Sequence, residues 1–246
     1  MRLPAVLALA APERISSPPA SGFTLLDRAD VERFLNQHMP GDWSAGHITK
    51  LANLLPGQRN FARSGQGFVP TSMGEYAPLL QLLRWELVNQ VWDPCAGSGA
   101  TSQAFAAHRI RVIQTDIIVR TRLLDAVINV FNDADVSRFS TQFGSADAIV
   151  ASCWFAQLDL MLPILLNSAQ QVLCLHVPGH YFGGPEPRLA FLQRLHLAGR
   201  VAVIYGLPRD GTGTRCSWLL IFRSAAARTR LWRGTPRSWI VFHARS

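Results

Sequence analysis

The stretch VWDPCAGSGATSQAF, Val91 to Phe105, reads as an apolar strand, a tight loop of small residues and the opening of a helix. Gly97 and Gly99 let the backbone turn sharply and approach a ligand with no Cβ in the way. The helix that follows offers unpaired N–H groups. In an open α/β sheet, such a loop lies at the carboxyl end of its strand, where ligands collect near the switch point of strand order. The loop lacks the Lys-Ser/Thr pair of a phosphate-binding P-loop. Ser102 stands where a G-x-G-x-x-G would carry its third glycine. Asp93 closes the strand just before the loop, and Asp116 ends the next apolar stretch, IRVIQTDI. An acid in the latter position accepts both hydroxyls of a ribose, whereas Asp93 favours a cationic group. Together they predict a ligand with a ribose and a positive charge but no pyrophosphate.

Outward from this loop, strand-like and helix-like stretches alternate. MGEYAPLLQLLRWELV (73–88) predicts an amphipathic helix weakened at Pro78, NQVWDP a strand, and GATSQAFAAHR a helix with Ala104, Phe105 and Ala106 buried. IRVIQTDI predicts a strand, and RTRLLDAVINVF (120–131) a helix or helix-strand unit. ADAIVASCWF is an apolar strand, LDLMLPILLNSA a helix, QQVLCLHVP a strand, and PRLAFLQRLHLAG a helix stopped at Gly199. RVAVIYG and CSWLLIF are two strands joined by the turn-rich LPRDGTGTR, with a last short strand at Trp239 to His243. Alternation predicts a parallel sheet wrapped by helices. The two strands without an intervening helix must run antiparallel. The expected fold class is therefore α/β, a Rossmann-like doubly wound mixed sheet, mostly parallel with an antiparallel strand near the C-terminus.

Three segments are expected: an N-terminal extension over 1–65, partly flexible with a short helix, a main domain over 66–225, and a basic aromatic tail over 226–246. In the extension, SSPPASG reads as a linker and FTLLDRADVERFLNQHM as a helix, with Leu25, Leu26, Val31, Phe34 and Leu35 near helical spacing. LPGQRNFARSGQGFVPTS, with Arg59 and Arg63, reads as a Gly-rich basic loop.

The chain has 246 residues, 48% of them hydrophobic, enough for one sizeable core. No apolar run reaches about 18 residues, so no membrane span is expected. MRLPAVLALAAP loosely mimics a signal peptide, but its apolar part is short and broken by Pro4. The four cysteines, Cys95, Cys153, Cys174 and Cys216, form no C-x-x-C pair, which argues against a zinc site, and their apolar settings suit a reducing compartment. An intracellular protein, cytoplasmic or nuclear, is expected. His176 and His180 straddle Pro178 and Gly179 and share no helical face, so no metal is expected there either. The net charge is +8, and Lys50 is the only lysine. Arginine binds phosphate in a forked way and stacks on bases, which fits a DNA or RNA partner. A GC-rich genome accounts for the same bias equally well.

DPCAGSG resembles the first motif, D-P-x-x-G-S-G, of S-adenosylmethionine-dependent methyltransferases, especially those that methylate the exocyclic amines of DNA bases. GFVPTSMGEYAPLLQLL is similar to the segment preceding that motif in the adenine-N6 enzymes, where a turn opens a helix that contacts the cofactor's methionine part. Phe68, Pro70 and Thr71 occupy that turn, with Pro and Thr in reverse order. The resemblance covers about residues 66 to 223. It implies S-adenosyl-L-methionine as cofactor, with Asp93, Pro94, Gly97, Ser98, Gly99 and Thr71 around its methionine part and the loop, and Asp116 on the ribose. Asp135 in NDADVSRF, with Asp133 in reserve, would meet the adenine amino group.

In this family the fourth strand ends in [DNS]-P-P-[YFW], whose first residue and backbone hold the target amine and whose aromatic stacks on the extruded base. Here Ser152-Cys153-Trp154-Phe155 falls on that register. Ser152 and Phe155 match the outer positions, and Cys153 and Trp154 replace both prolines. Ser152, Phe155 and Trp154 are the implied catalytic positions. Without the prolines the backbone is expected to be freer. Cys153 also invites comparison with cytosine-C5 enzymes, but these use Pro-Cys, and Ser152 is not proline. GLPRDGTGTRCSWLLIF resembles the hairpin that closes the sheet. Arg209 and Arg215 in it, and Arg228, Arg230, Arg233 and Arg237 interleaved with Trp232 and Trp239, are candidates for phosphate contacts and stacking. The leading expectation is a methyltransferase acting on an exocyclic base amine, adenine N6 favoured. The rivals are a catalytically degenerate nucleic-acid-binding protein of a mobile element or virus, and a methyltransferase for a protein or small molecule.

Overall fold

The structure is a computed structural model that describes residues 24–56, 71–119, 123–205, 207, 216–234 and 240–242. Its centre is an eight-stranded mixed sheet in the order β3-β2-β1-β4-β5-β7-β6-β8. The strands are β1 (Gln90–Asp93), β2 (Arg111–Asp116), β3 (Ala126–Val127), β4 (Ala146–Ala151), β5 (Ala169–Pro178), β6 (Val201–Tyr205), β7 (Cys216–Phe222) and β8 (Ile240–Phe242). β1 pairs parallel with both β2 and β4, and β4 with β5. β7 enters antiparallel between β5 and β6, and β8 joins β6 parallel. The mixed sheet and its closing hairpin are as expected. Strand order reverses between β1 and β4, so the loops after these two strands face each other across the switch point.

Both faces of the sheet are covered. Along β1, β4, β5 and β7, apolar residues alternate between two cores, as strand geometry requires. Val91, Val150, Cys174 and Trp218 point to one core; Trp92, Ile149, Leu173 and Leu219 point to the other. Helices α3 (Met73–Leu82), α4 (Ala100–Phe105) and α8 (Ala225–Leu231) cover the first face. Helices α1 (Arg28–His38), α2 (Ala45–Ala52), α5 (Asp133–Phe143), α6 (Leu158–Ser168) and α7 (Glu186–Leu197) cover the second.

The N-terminal helices share this second core. Val31, Phe34, Leu35, Ile48 and Leu51 are buried with α6 and the sheet, whereas Leu26 is exposed. A buried polar cluster ties them in. Asp159 of α6 accepts from Arg188 Nη1 at 2.9 Å and Tyr181 Oη at 3.3 Å, and meets His47 Nε2 of α2 at 2.9 Å. At the other end of the chain, Trp232 is buried, Leu83 and Trp232 form a β-bridge, and Arg233 pairs with Glu86 at 2.8 Å.

Several expectations are corrected. α4 ends at Phe105, and Ala106 is exposed. Within the described part of 120–131 there is no helix: Asp125 and Asn129 bond nearby backbone N–H groups, and only the two-residue β3 forms. Asp133 and Asp135 lie in the first turn of α5, and Asn132 caps that helix by accepting from Ala134 N. α2 and α8 were not expected. Arg59, Arg63, Phe68, Pro70, Arg209, Arg215, Arg237 and Trp239 lie outside the described residues.

Candidate functional site

The loop after β1 is held by its own chemistry. Gly97 and Gly99 adopt φ of +53° and +87°, the left-handed region where glycine has no Cβ penalty. A Cβ on Gly99 would stand 2.9 Å from Gln114 Oε1. Ala96 N donates to Thr115 O at 3.0 Å, and Gly97 N donates to Asp116 Oδ2 at 3.0 Å. The loop is thus clamped to the carboxyl end of β2. Asp116 Oδ1 accepts from Ile118 N at 3.0 Å. Each carboxylate oxygen can accept two bonds, so Asp116 keeps acceptor capacity beside the loop. Pro94, Gly97 and Gly99 are buried, while Ser98 is exposed.

Asp93 is 2% exposed. It accepts from Cys95 N at 3.0 Å, and no Arg or Lys pairs with it among the described residues. Burial, with Asp116 adding to it, pushes its carboxyl up to about 7 against the hydrogen bonds from Thr101 and Cys95 N. Beside it, Tyr76 Oη and Thr101 Oγ1 are 3.0 Å apart. Burial, followed by the charge of Asp93, pushes the Tyr76 phenol up.

Across the switch point, the segment after β4 is tied by side chains rather than by prolines. Ser152 Oγ accepts from Thr71 Oγ1 and lies 3.2 Å from His176 Nδ1. The turn before α3 therefore meets the strand-four segment. The four residues do not all present themselves to an acceptor. Cys153 is buried, and contact with its thiol, together with burial, pushes the Cys95 thiol up. Trp154 is half-buried, and its carbonyl accepts from Gln157 N at 3.0 Å. Phe155 is half-buried against both cores, its ring 6.0 Å from that of His176.

Glu75, His176 and Trp218 stand behind Ser152 and carried no signal of a role in the sequence. Glu75 Oε2 accepts from Ser72 N at 2.6 Å, closing the first turn of α3. Its Oε1 lies 3.1 Å from His176 Nε2. Burial alone would raise the Glu75 carboxyl. The facing imidazole and the Ser72 N–H outweigh this and hold it below its usual range. Trp218 donates to Glu75 O at 2.6 Å and packs 5.0 Å from His176.

Other candidates are engaged by neighbours of their own. Asp135 Oδ2 accepts from Asn129 N at 3.0 Å and its Oδ1 pairs with Arg138 at 3.1 Å, so this acid serves its own helix turn. Arg230 bonds Gln171 at 2.7 Å, and the buried Trp232 has no free face for a base.

No protein-family model matches the chain, and no curated protein matches it. Solved structures do. A type I restriction-modification methyltransferase subunit from Streptococcus thermophilus is 13% identical, over 62% of this chain and 44% of that one, at a TM-score of 0.47. The O-methyltransferase TomG from Streptomyces achromogenes, solved in complex with SAM, is 13% identical over 73% and 96%, at 0.42. The Dnmt2 methyltransferase of S. pombe is 13% identical over 62% and 51%, at 0.41. Likenesses this distant concern the fold and do not bear on what the chain binds.

Proposed function

We propose that the chain binds S-adenosylmethionine between the Asp93 loop and Asp116, and transfers its methyl group to an exocyclic amine of a nucleic-acid base, adenine N6 favoured. One observation carries this reading: Asp93, the clamped glycine loop, Asp116 and Ser152 converge at the carboxyl ends of β1, β2 and β4.

The residues fit the group. Asp116 has acceptor capacity for two ribose hydroxyls. Asp93 is a buried carboxylate without a cationic partner among the described residues, and the cofactor's methionine part brings positive charge. Gly97 and Gly99, at positive φ, keep two side chains off the loop. S-adenosylmethionine supplies a methyl group on a positively charged sulfur, open to in-line attack by a nucleophile. The chain's part is to orient that methyl and the target, which is where effective molarity arises. Ser152 meets the hydrogen-bonding edge of the target, with Thr71 and His176 fixing its rotamer. Trp154 and Phe155 flank it.

The packing of Phe155 against both cores favours a second reading, in which the cofactor is bound but no base is methylated. A panel of DNA, RNA, protein and small-molecule acceptors with methyl-labelled cofactor separates the two. Label in DNA or RNA that disappears in Ser152→Ala supports the first. Label in no nucleic acid, with the cofactor still bound, supports the second.

A further inference from the structure

We propose that Glu75, His176 and Cys216 form a binding site for zinc or a divalent cation of similar ligand preference. The three come from the first turn of α3, the carboxyl end of β5 and the first residue of β7. One ligand atom from each, a carboxylate oxygen, an imidazole nitrogen and a thiol sulfur, all lie within 4.8 Å of one another. The residues are 0%, 3% and 1% exposed. Strand register explains the convergence. His176 stands opposite Trp218 and Pro178 opposite Cys216, so His176 and Cys216 are diagonal neighbours on one face of the sheet. α3 covers that face and carries Glu75 onto the pair.

A second observation points to a ligand. Glu75 Oε1 and His176 Nε2 are both buried and both lack a hydrogen-bond partner. They lie 3.1 Å apart but are not aligned as donor and acceptor. The other heteroatom of each group is already engaged, Oε2 by Ser72 N and Nδ1 by Ser152 Oγ. Around a tetrahedral zinc with bonds of about 2.0–2.2 Å, an oxygen and a nitrogen ligand stand roughly 3.3 Å apart, close to the spacing seen. Sulfur in such a site stands roughly 3.5 Å from the other ligands, so Cys216 Sγ needs to close by little more than an ångström at most.

Charge agrees with this. A carboxylate, a thiolate and a neutral imidazole together neutralise a dication, so the occupied site buries no net charge. Carboxylate, imidazole and thiolate are also zinc's usual ligands. Three protein ligands leave a fourth position for water or a small ligand. With Nε2 on the cation, the proton of His176 must sit on Nδ1 and be donated to Ser152 Oγ, as a metal-bound imidazole donates through its second nitrogen. The cation would then set the hydrogen-bond direction at Ser152 and fasten α3 to the sheet. Cysteine spacing gives no hint of this, because the ligands are brought together by β5–β7 pairing and not by a C-x-x-C turn. The proposal stands apart from methyl transfer.

The full-length chain, purified without a metal-binding tag, is to be dialysed against zinc, freed of excess and analysed for metal by mass spectrometry. The expected result is about one zinc per chain, a melting temperature that falls on chelation, and retention of neither in Cys216→Ser. Cobalt(II) in place of zinc is expected to give a thiolate charge-transfer band in the wild type and in Cys174→Ala, whose thiol lies on β5 outside the cluster, but not in Cys216→Ser. If Cys216→Ser fails to fold, the wild-type band and the Cys174→Ala band decide. A chain without zinc, without the cobalt band and with a melting temperature unmoved by zinc or chelator overturns the proposal. So does a band that persists in folded Cys216→Ser. Titrating S-adenosylmethionine into the same samples separates this outcome from the fate of the methyltransferase reading.

Discussion

Asp93 is buried with its carboxyl pushed up to about 7, which sets its linkage to folding. Its unfolded value is near 3.9, so the folded state holds the proton more tightly. The stability this contributes is full below about pH 4 and is lost as pH rises to about 7. Asp93→Asn cannot ionise. It is expected to be more stable than the wild type at pH 8, by about 1–3 kcal/mol, and nearly equal to it at pH 4; melting curves at the two pH values check this. Cofactor affinity should move the opposite way. Binding a cation favours ionised Asp93, so affinity in the wild type rises between pH 5.5 and 8, and Asp93→Asn loses both the affinity and its pH dependence. Gly99 carries a different load. With φ at +87° and a Cβ position 2.9 Å from Gln114 Oε1, Gly99→Ala is expected to cost about 1–3 kcal/mol, read by chemical denaturation.

Among the elements, the buried cluster around Asp159 joins α2 and α6 to α7 through His47 and Arg188. Asp159→Ala leaves the Arg188 guanidinium buried without its carboxylate, which costs about 3–5 kcal/mol; a denaturation midpoint near the wild-type value would refute that role. The elements also show why part of the chain was readable. β1, β2, β4, β5 and β7 declare themselves as apolar runs closed by turn residues, and the glycine loop follows directly from β1. α2 and α8 are eight and seven residues long, too short for periodicity to stand out. In α5 the capping Asn132 and the first-turn acids are helix-start chemistry. LLDAVINVF has helix-like apolar spacing, but Asn129 accepts from Phe131 N and competes locally with a helix, while Asp125 is held by Gln114 N of β2.

The molecule as a whole takes its candidate site from strand order. Reversal between β1 and β4 sets side by side the carboxyl ends of the strands that carry Asp93, Asp116 and Ser152, the three candidates that sequence motifs single out. Glu75 and His176 behind Ser152 were unreadable because they meet only through the packing of α3 on β5. The +8 charge bears on the proposed target. Binding of a single-stranded oligonucleotide is expected to weaken steadily with added salt, as phosphate contacts release counterions; affinity independent of salt would count against a nucleic-acid target. The central claim is narrower and comes first: the loop and Asp116 hold S-adenosylmethionine. Isothermal titration of the full chain with S-adenosylmethionine and its demethylated product tests it most directly. Saturable binding of both, weakened by Asp116→Ala, which removes the proposed ribose acceptor and the clamp on Gly97, is the predicted result. Absence of heat with either ligand, or binding unchanged in Asp116→Ala, would contradict it.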